Sequence, residues 1–188
     1  MQKRKIVVFL VCFLLSLNIF SGEFQVNISY GIYSKDYNLF KELYGNDTGI
    51  FGLGADYFFS KFFGVYIESN YMSAGGESSH NKIPLSYNET HLSAGAKFRY
   101  PLFGEFELYL KAGVLYVNYS ETFAEQQKGH AVGITGGGGF VYWIKKFGLG
   151  IEMMQNIASK TINIQGLDSA ETVSFNGLRI VLKGMLRL

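Results

Sequence analysis

The stretch Glu105-Phe106-Glu107-Leu108-Tyr109-Leu110-Lys111-Ala112-Gly113-Val114-Leu115-Tyr116-Val117-Asn118-Tyr119 decides the fold. Phe106, Leu108, Leu110, Ala112, Val114 and Tyr116 fall on one parity, and Glu107, Lys111 and Gly113 on the other. Successive side chains of an extended chain point to opposite faces. A period of two therefore marks a strand with one apolar and one polar side. The same period recurs in seven further segments, at about 24–33, 50–59, 62–73, 88–100, 130–144, 147–158 and 172–188. Their apolar parities carry Phe24 to Ile32, Phe51 to Phe59, Phe63 to Tyr71, Leu92 to Tyr100, Val132 to Ile144, Phe147 to Ile157, and Leu178 to Leu188.

The opposite parity holds the charges. It carries Asp56, Glu68, Glu89, Lys97, Arg99, Glu107, Lys111, Glu152, Arg179, Lys183 and Arg187, while the apolar parity carries none. The connections alternate too. Ser60-Lys61, Pro101 to Gly104, and Lys145-Lys146 are tight turns, and the longer segments are 34–48, 74–87, 120–129 and 159–171. Short turns at one end and long loops at the other are the pattern of an outer-membrane barrel.

Composition narrows the function classes. The chain has 188 residues, 48% apolar and 16% aromatic, with 17% charged and a formal charge of +2. So many aromatics with so little net charge exclude a disordered chain. One cysteine cannot form a disulfide within the chain. The small net charge argues against nucleic acid as a partner. Residues 1–22 read as a cleaved signal peptide: Lys3, Arg4 and Lys5 precede the apolar run Ile6 to Leu15, and Ser16, Ser21 and Gly22 follow. Cys12 lies in that run, so its removal leaves residues 23–188 as a cysteine-free single domain with a net charge of −1. No other apolar run is long enough to cross a bilayer as a helix. A membrane-spanning form must then be a closed barrel, which pairs every backbone group internally.

Alternation alone does not say which face points outward, because a soluble lipocalin-like barrel alternates as well. Three features favour apolar-out. The polar parity is rich in small residues (Gly31, Gly52, Gly54, Ser93, Gly95, Gly113, Gly133, Gly137, Gly139, Gly148 and Gly150), as a narrow interior requires. Aromatics crowd the short-turn end, at Tyr57, Phe58, Phe59, Phe62, Phe63, Phe98, Tyr100, Phe103, Phe106, Phe140, Tyr142, Trp143 and Phe147. A second set, Tyr30, Tyr33, Tyr71, Tyr116 and Tyr119, sits toward the long loops. Two belts match interfacial girdles. Finally, the last segment alternates up to Leu188, so it can pair with the first strand. The reading is all-β: an eight-stranded antiparallel up-and-down transmembrane β-barrel.

Inside such a barrel the charges must compensate one another. Glu152 and Lys183 lie at the same height in the last hairpin, and Glu107 faces Arg99 and Lys97 across Pro101 to Gly104. We expect a lumen network of Asp56, Glu68, Lys97, Arg99, Glu107, Lys111, Glu152, Arg179 and Lys183.

The stretches Gly52 to Phe59, Leu92 to Gly95 and Tyr109 to Val114 resemble the small eight-stranded outer-membrane proteins of Gram-negative bacteria. These are the OmpX, OmpA-transmembrane-domain and opacity-protein types of the outer membrane protein beta-barrel family. The resemblance implies export to the outer membrane, with surrounding lipid and lipopolysaccharide and the outer-membrane assembly machinery as partners. Such proteins usually end in an aromatic residue that this machinery reads; here the last residue is Leu188.

Catalytic leads are few. His91-Leu92-Ser93 is similar to the His-x-Ser arrangement of outer-membrane lipid A deacylases. A nucleophilic serine needs a base within reach and a group that orients it, and Glu89 offers the latter. The register points all three inward, away from lipid. His80 and His130 have no metal-ligand spacing, and glycines 136–139 lack the Lys-Ser/Thr of a phosphate loop. No cofactor is implied. The loops 34–48, 74–87, 120–129 and 159–171 carry recognition of any extracellular ligand. In the first, Tyr37 to Tyr44 is amphipathic and fits a short helix or a contact surface. The leading function is a non-enzymatic outer-membrane protein in a structural or adhesion-type role. The alternatives are a small pore and, behind it, a lipid-modifying hydrolase.

Overall fold

A computed structural model describes residues 22–36, 38–45, 47–77, 84–123, 125–163 and 170–188. Residues 1–21, where nearly all of the expected signal peptide 1–22 falls, lie outside them. The elements are β1 (Glu23–Lys35), α1 (Asn38–Tyr44), β2 (Asp47–Phe58), β3 (Phe63–Glu77), β4 (Pro84–Pro101), β5 (Phe106–Phe123), β6 (Glu125–Ile144), β7 (Phe147–Asn163), β8 (Ala170–Ser174) and β9 (Gly177–Arg187). From β1 to β8 each strand pairs antiparallel with the next, β7 pairs with β9 as well, and β9 returns to β1 with Gly184 opposite Ile28. The sheet is thereby closed, and no edge is left along the barrel body.

β8 and β9 are two halves of one strand. Ser174 faces Ser159 and Gly177 faces Asn156, which is one continuous register. Phe175 and Asn176 interrupt it. The Phe175 amide still donates to the Ala158 carbonyl at 2.8 Å, and the Asn176 side chain accepts from the Ala158 amide at 2.9 Å. The barrel thus has eight strands, as the alternation predicts.

The tight turns work by local chemistry. Ser60 Oγ accepts from the amides of Phe62 (3.3 Å) and Phe63 (2.9 Å). Ile144 pairs with Phe147 around Lys145, whose φ of 58° is the left-handed conformation a two-residue hairpin demands.

The two parities separate as expected. Ile67 and Leu149 stand 62% and 65% exposed on the outer wall, while Tyr109 and Glu152 are fully buried within. Two expectations need correction. The segment 120–129 is not a loop: β5 and β6 stay paired up to Phe123 opposite Glu125. β7 likewise runs to Asn163, and β3 and β4 pair up to Glu77 opposite Pro84. Periodicity fades there because both faces are polar, whereas ladder hydrogen bonding needs no apolar face. Tyr33, Phe58, Tyr119 and Trp143 also do not belong to the outer belts; all four are buried inside. They occupy the inward parity, and crowding in sequence hides that. The remaining belt residues Phe59, Phe63, Tyr100, Phe106, Phe140, Tyr142 and Phe147 are exposed at one end, and Tyr30, Tyr71 and Tyr116 toward the other.

Candidate functional site: the filled lumen

At the short-turn end, Arg187 Nε and Arg99 Nη1 reach Glu23 Oε1 at 2.9 and 2.7 Å. Arg187 Nη2 and Arg99 Nη1 also reach Glu107 Oε2, at 3.1 and 3.8 Å. Each guanidinium lies over an aromatic ring, Arg99 over Phe58 at 3.8 Å and Arg187 over Trp143 at 3.6 Å. Such stacking suits a delocalised cation on a ring face. It gives the inward aromatics a role that their belt assignment missed. Glu107 therefore meets Arg99 as expected, while Lys97 does not join it. Lys97 instead pairs with Asp56 at 2.9 Å, one level up.

At mid-height, two carboxylates share three cations. Lys111 reaches Glu68 at 2.5 Å and Glu152 at 3.0 Å. Arg179 reaches them at 2.8 and 2.7 Å, and Lys183 at 3.2 and 3.0 Å. All five side chains are at most 4% exposed. The pairing of Glu152 with Lys183 is present, although Lys183 sits opposite Gly150 and Val181 opposite Glu152. The lysine reaches diagonally. Burial of this many ions is tolerable because every carboxylate has several partners. Small residues make the room. A Cβ at Gly139 would stand 2.7 Å from the Tyr109 hydroxyl, which donates to Glu152 at 3.1 Å.

Above this lattice the chemistry changes. Glu89 is bonded by Lys35, by the Tyr87 hydroxyl and by His91 Nε2. Asn156 Nδ2 donates to His91 Nδ1 at 3.1 Å, and the Asn156 carbonyl accepts from Thr135 at 2.7 Å. Both imidazole nitrogens are thus engaged. Glu89 does orient His91, but the ring's partners are Glu89 and Asn156, not Ser93. His91 and Ser93 are both buried in the lumen, so the His-x-Ser pair does not assemble as nucleophile and base. Among the described residues, no three His, Cys, Asp or Glu side chains converge as a metal site would require.

An apolar core surrounds this upper cluster, built from Tyr33, Ile50, Met72, Leu115, Val117 and Phe175 among others. α1 covers it, with Phe40 and Tyr44 buried. Phe40 packs tilted against Tyr44 at 4.9 Å and edge-on to Tyr87 at 5.1 Å. The amphipathic pattern of the first loop is fulfilled as this helix, with Tyr37 outside the described residues.

No protein-family model and no curated protein matches the sequence. The fold has solved counterparts. Neisserial surface protein A aligns over 89% of this chain and 97% of its own, with a TM-score of 0.62 and 12% identity. The outer membrane protein OprG of Pseudomonas aeruginosa aligns over 90% and 97%, at a TM-score of 0.65 and 13% identity. Ail, the attachment invasion locus protein of Yersinia pestis, was solved with the heparin analogue sucrose octasulfate; it aligns over 89% and 97%, at 0.53 and 16%. With its closed antiparallel barrel and charged interior, this chain has the fold of the small eight-stranded outer-membrane β-barrels.

Proposed function

We propose that the chain is an integral protein of a bacterial outer membrane, exported by the leader at 1–22. It acts through the surface its long hairpins present, in a structural or adhesive role, and performs no catalysis. One observation carries this reading: apolar side chains cover the outer wall between two aromatic belts, while Asp56, Glu68, Lys97, Glu107, Lys111, Glu152, Arg179 and Lys183 of the wall between those belts are buried inside. A lipid-facing charge costs roughly 2–4 kcal/mol at the bilayer midplane, so this division suits lipid and not water. The short turns then face the periplasm, and α1 and the far ends of the long hairpins face outward. Among the described residues His91 and Ser93 do not form a nucleophile–base pair, and the buried ions are paired across the lumen, which favours this reading over a hydrolase or a pore. The attachment protein among the similar structures supports an adhesive role.

Unheated and boiled samples should migrate differently on a gel, and the purified protein should float with liposomes and leave a planar bilayer silent. Cells displaying it should attach to a host-cell monolayer more than cells displaying a variant with shortened hairpin tips. Identical mobility and recovery in the soluble fraction would sink the membrane assignment. Steady unitary conductance would replace the adhesive reading with the pore.

A further inference from the structure

Lys35 is 2% exposed, although it ends β1 at the mouth of the barrel, where water is close by. Its Nζ pairs with Glu89 and donates to the Tyr87 hydroxyl at 2.6 Å. It also lies over three rings, Tyr87 at 4.2 Å, Phe40 at 4.5 Å and Phe175 at 5.1 Å. These partners come from separate parts of the molecule. β4 supplies Tyr87 and Glu89, α1 supplies Phe40, and the break between β8 and β9 supplies Phe175. An ammonium over aromatic faces is attracted to each of them, and more strongly when water is excluded. The lysine therefore ties the helix to two sides of the wall at once.

α1 is attached differently from every strand. The β1–β2 hairpin is already closed beneath it, with Ser34 opposite Asp47. The helix adds no ladder of its own and holds on by side chains. Phe40 packs on Tyr87, and Tyr44 donates to Glu121 at 2.7 Å. The backbone of Leu43 lies against Gly76, where a Cβ would not fit. Asp36 precedes the helix, and Gly45, with φ of +90°, follows it. Lifting such a unit breaks no strand pairing. Its opening free energy is set by a few side-chain contacts and lies far below that of the barrel.

We propose that α1 is a hinged lid on the outer mouth, latched by the Lys35 ammonium between Phe40, Tyr87, Phe175 and Glu89, and that it opens while the barrel stays folded. Opening bares the apolar upper lumen to water and gives the mouth two states. These contacts involve no lipid, so the lid works in detergent as in a bilayer.

Thiol labelling tests it. The chain without its leader has no thiol, and Val117→Cys places a reporter on a fully buried wall position beneath the lid. Val141→Cys, fully buried in the lower lumen, serves as control. A water-soluble maleimide should label Val117→Cys while the protein keeps its unheated mobility, and should spare Val141→Cys. Adding Phe40→Ala should raise the Val117→Cys rate by about tenfold or more, a local loss of closure, and leave the control unchanged. Lys35→Met with Glu89→Gln, which removes the latch without orphaning a carboxylate, should act in the same direction and decides the matter if Phe40→Ala does not fold. Labelling that appears only as the folded band disappears would overturn the lid. Equal acceleration at both sites would mean general loosening and overturn it as well. An unchanged rate in the Lys35 variant would overturn the latch.

Discussion

The two halves of the lumen are filled by opposite means on the same eight strands. The lower half holds Glu68 and Glu152 against Lys111, Arg179 and Lys183, with Asp56, Lys97, Arg99, Glu107 and Arg187 below. The upper half is an apolar core of Tyr33, Ile50, Met72, Leu115, Val117 and Phe175, with one ion cluster set into it and a helix on top. β4 spans both, carrying Lys97 and Arg99 below and Tyr87, Glu89 and His91 above. The lower filling depends on long cations that reach across strands and on glycines such as Gly139 and Gly148, which leave room for Tyr109 and Trp143. The upper filling is tight packing of the kind found inside a soluble domain. The lower half should thus be sensitive to charge balance and the upper half to volume.

The largest effect should come from the lower lattice. Glu152→Ala leaves three cations on the single carboxylate of Glu68. Removing one partner from a buried ion cluster costs about 3–5 kcal/mol, so the midpoint of urea unfolding from liposomes should fall accordingly. An unchanged midpoint would mean that water, not Glu152, balances those cations. The upper half is probed by Leu115→Ala, which removes a fully buried side chain and should cost about 3 kcal/mol by cavity formation. A charge-neutral truncation that proved harmless would show the upper core to be loosely packed and would weaken the contrast.

The contrast between halves was only partly legible in the sequence. The inward set of charges, from Asp56 to Arg187, follows from parity because one face of each strand must be free of charge. Glu152–Lys183 and Arg99–Glu107 follow from hairpin geometry. Lys97–Asp56 does not, because β3 separates β2 from β4 and no hairpin relates the two residues. The inward aromatics are hidden for a different reason. Tyr33 and Tyr119 above, like Phe58 and Trp143 below, sit close in sequence to outward aromatics, and an aromatic serves a girdle and a core equally well. Parity was the signal that separates them: Tyr33 shares the side of Gln25, Asn27 and Ser29, all buried. The β5–β6 hairpin beyond Tyr119 could not be read at all, since polar residues on both faces carry no period.

A smaller effect tests whether the lower charges are needed as charges. Lys97→Met alone strands Asp56 and should destabilise. Combining it with Asp56→Asn should bring stability back to within about 1 kcal/mol of the parent, since a paired set of ions exchanged for neutral groups is often tolerated. A double variant as damaged as the single one would mean that the ammonium's position over Tyr109, at 4.2 Å, matters more than its ion pair.

The smallest effect sits on the helix that closes the upper half. The Tyr44 hydroxyl donates to Glu121 at 2.7 Å, and burial, then the bond to that carboxylate and its charge, push its titration above the ordinary value of 10.0. A raised value in the closed form means that closure favours the protonated hydroxyl. The contribution is therefore whole below the unperturbed value and is lost as pH climbs through the raised one. Tyr44→Phe should weaken closure by about 1 kcal/mol, read as faster maleimide labelling of Val117→Cys once the reagent's own pH dependence is divided out. The gap between parent and variant should be constant from about pH 7 to pH 9 and narrow only at higher alkalinity, where the parent loses the same proton. A gap that closed at neutral pH would assign the helix's hold to Lys35, Glu89 and His91, the ionisable groups directly beneath it, and would leave the Tyr44 hydroxyl with no share in keeping the upper core dry.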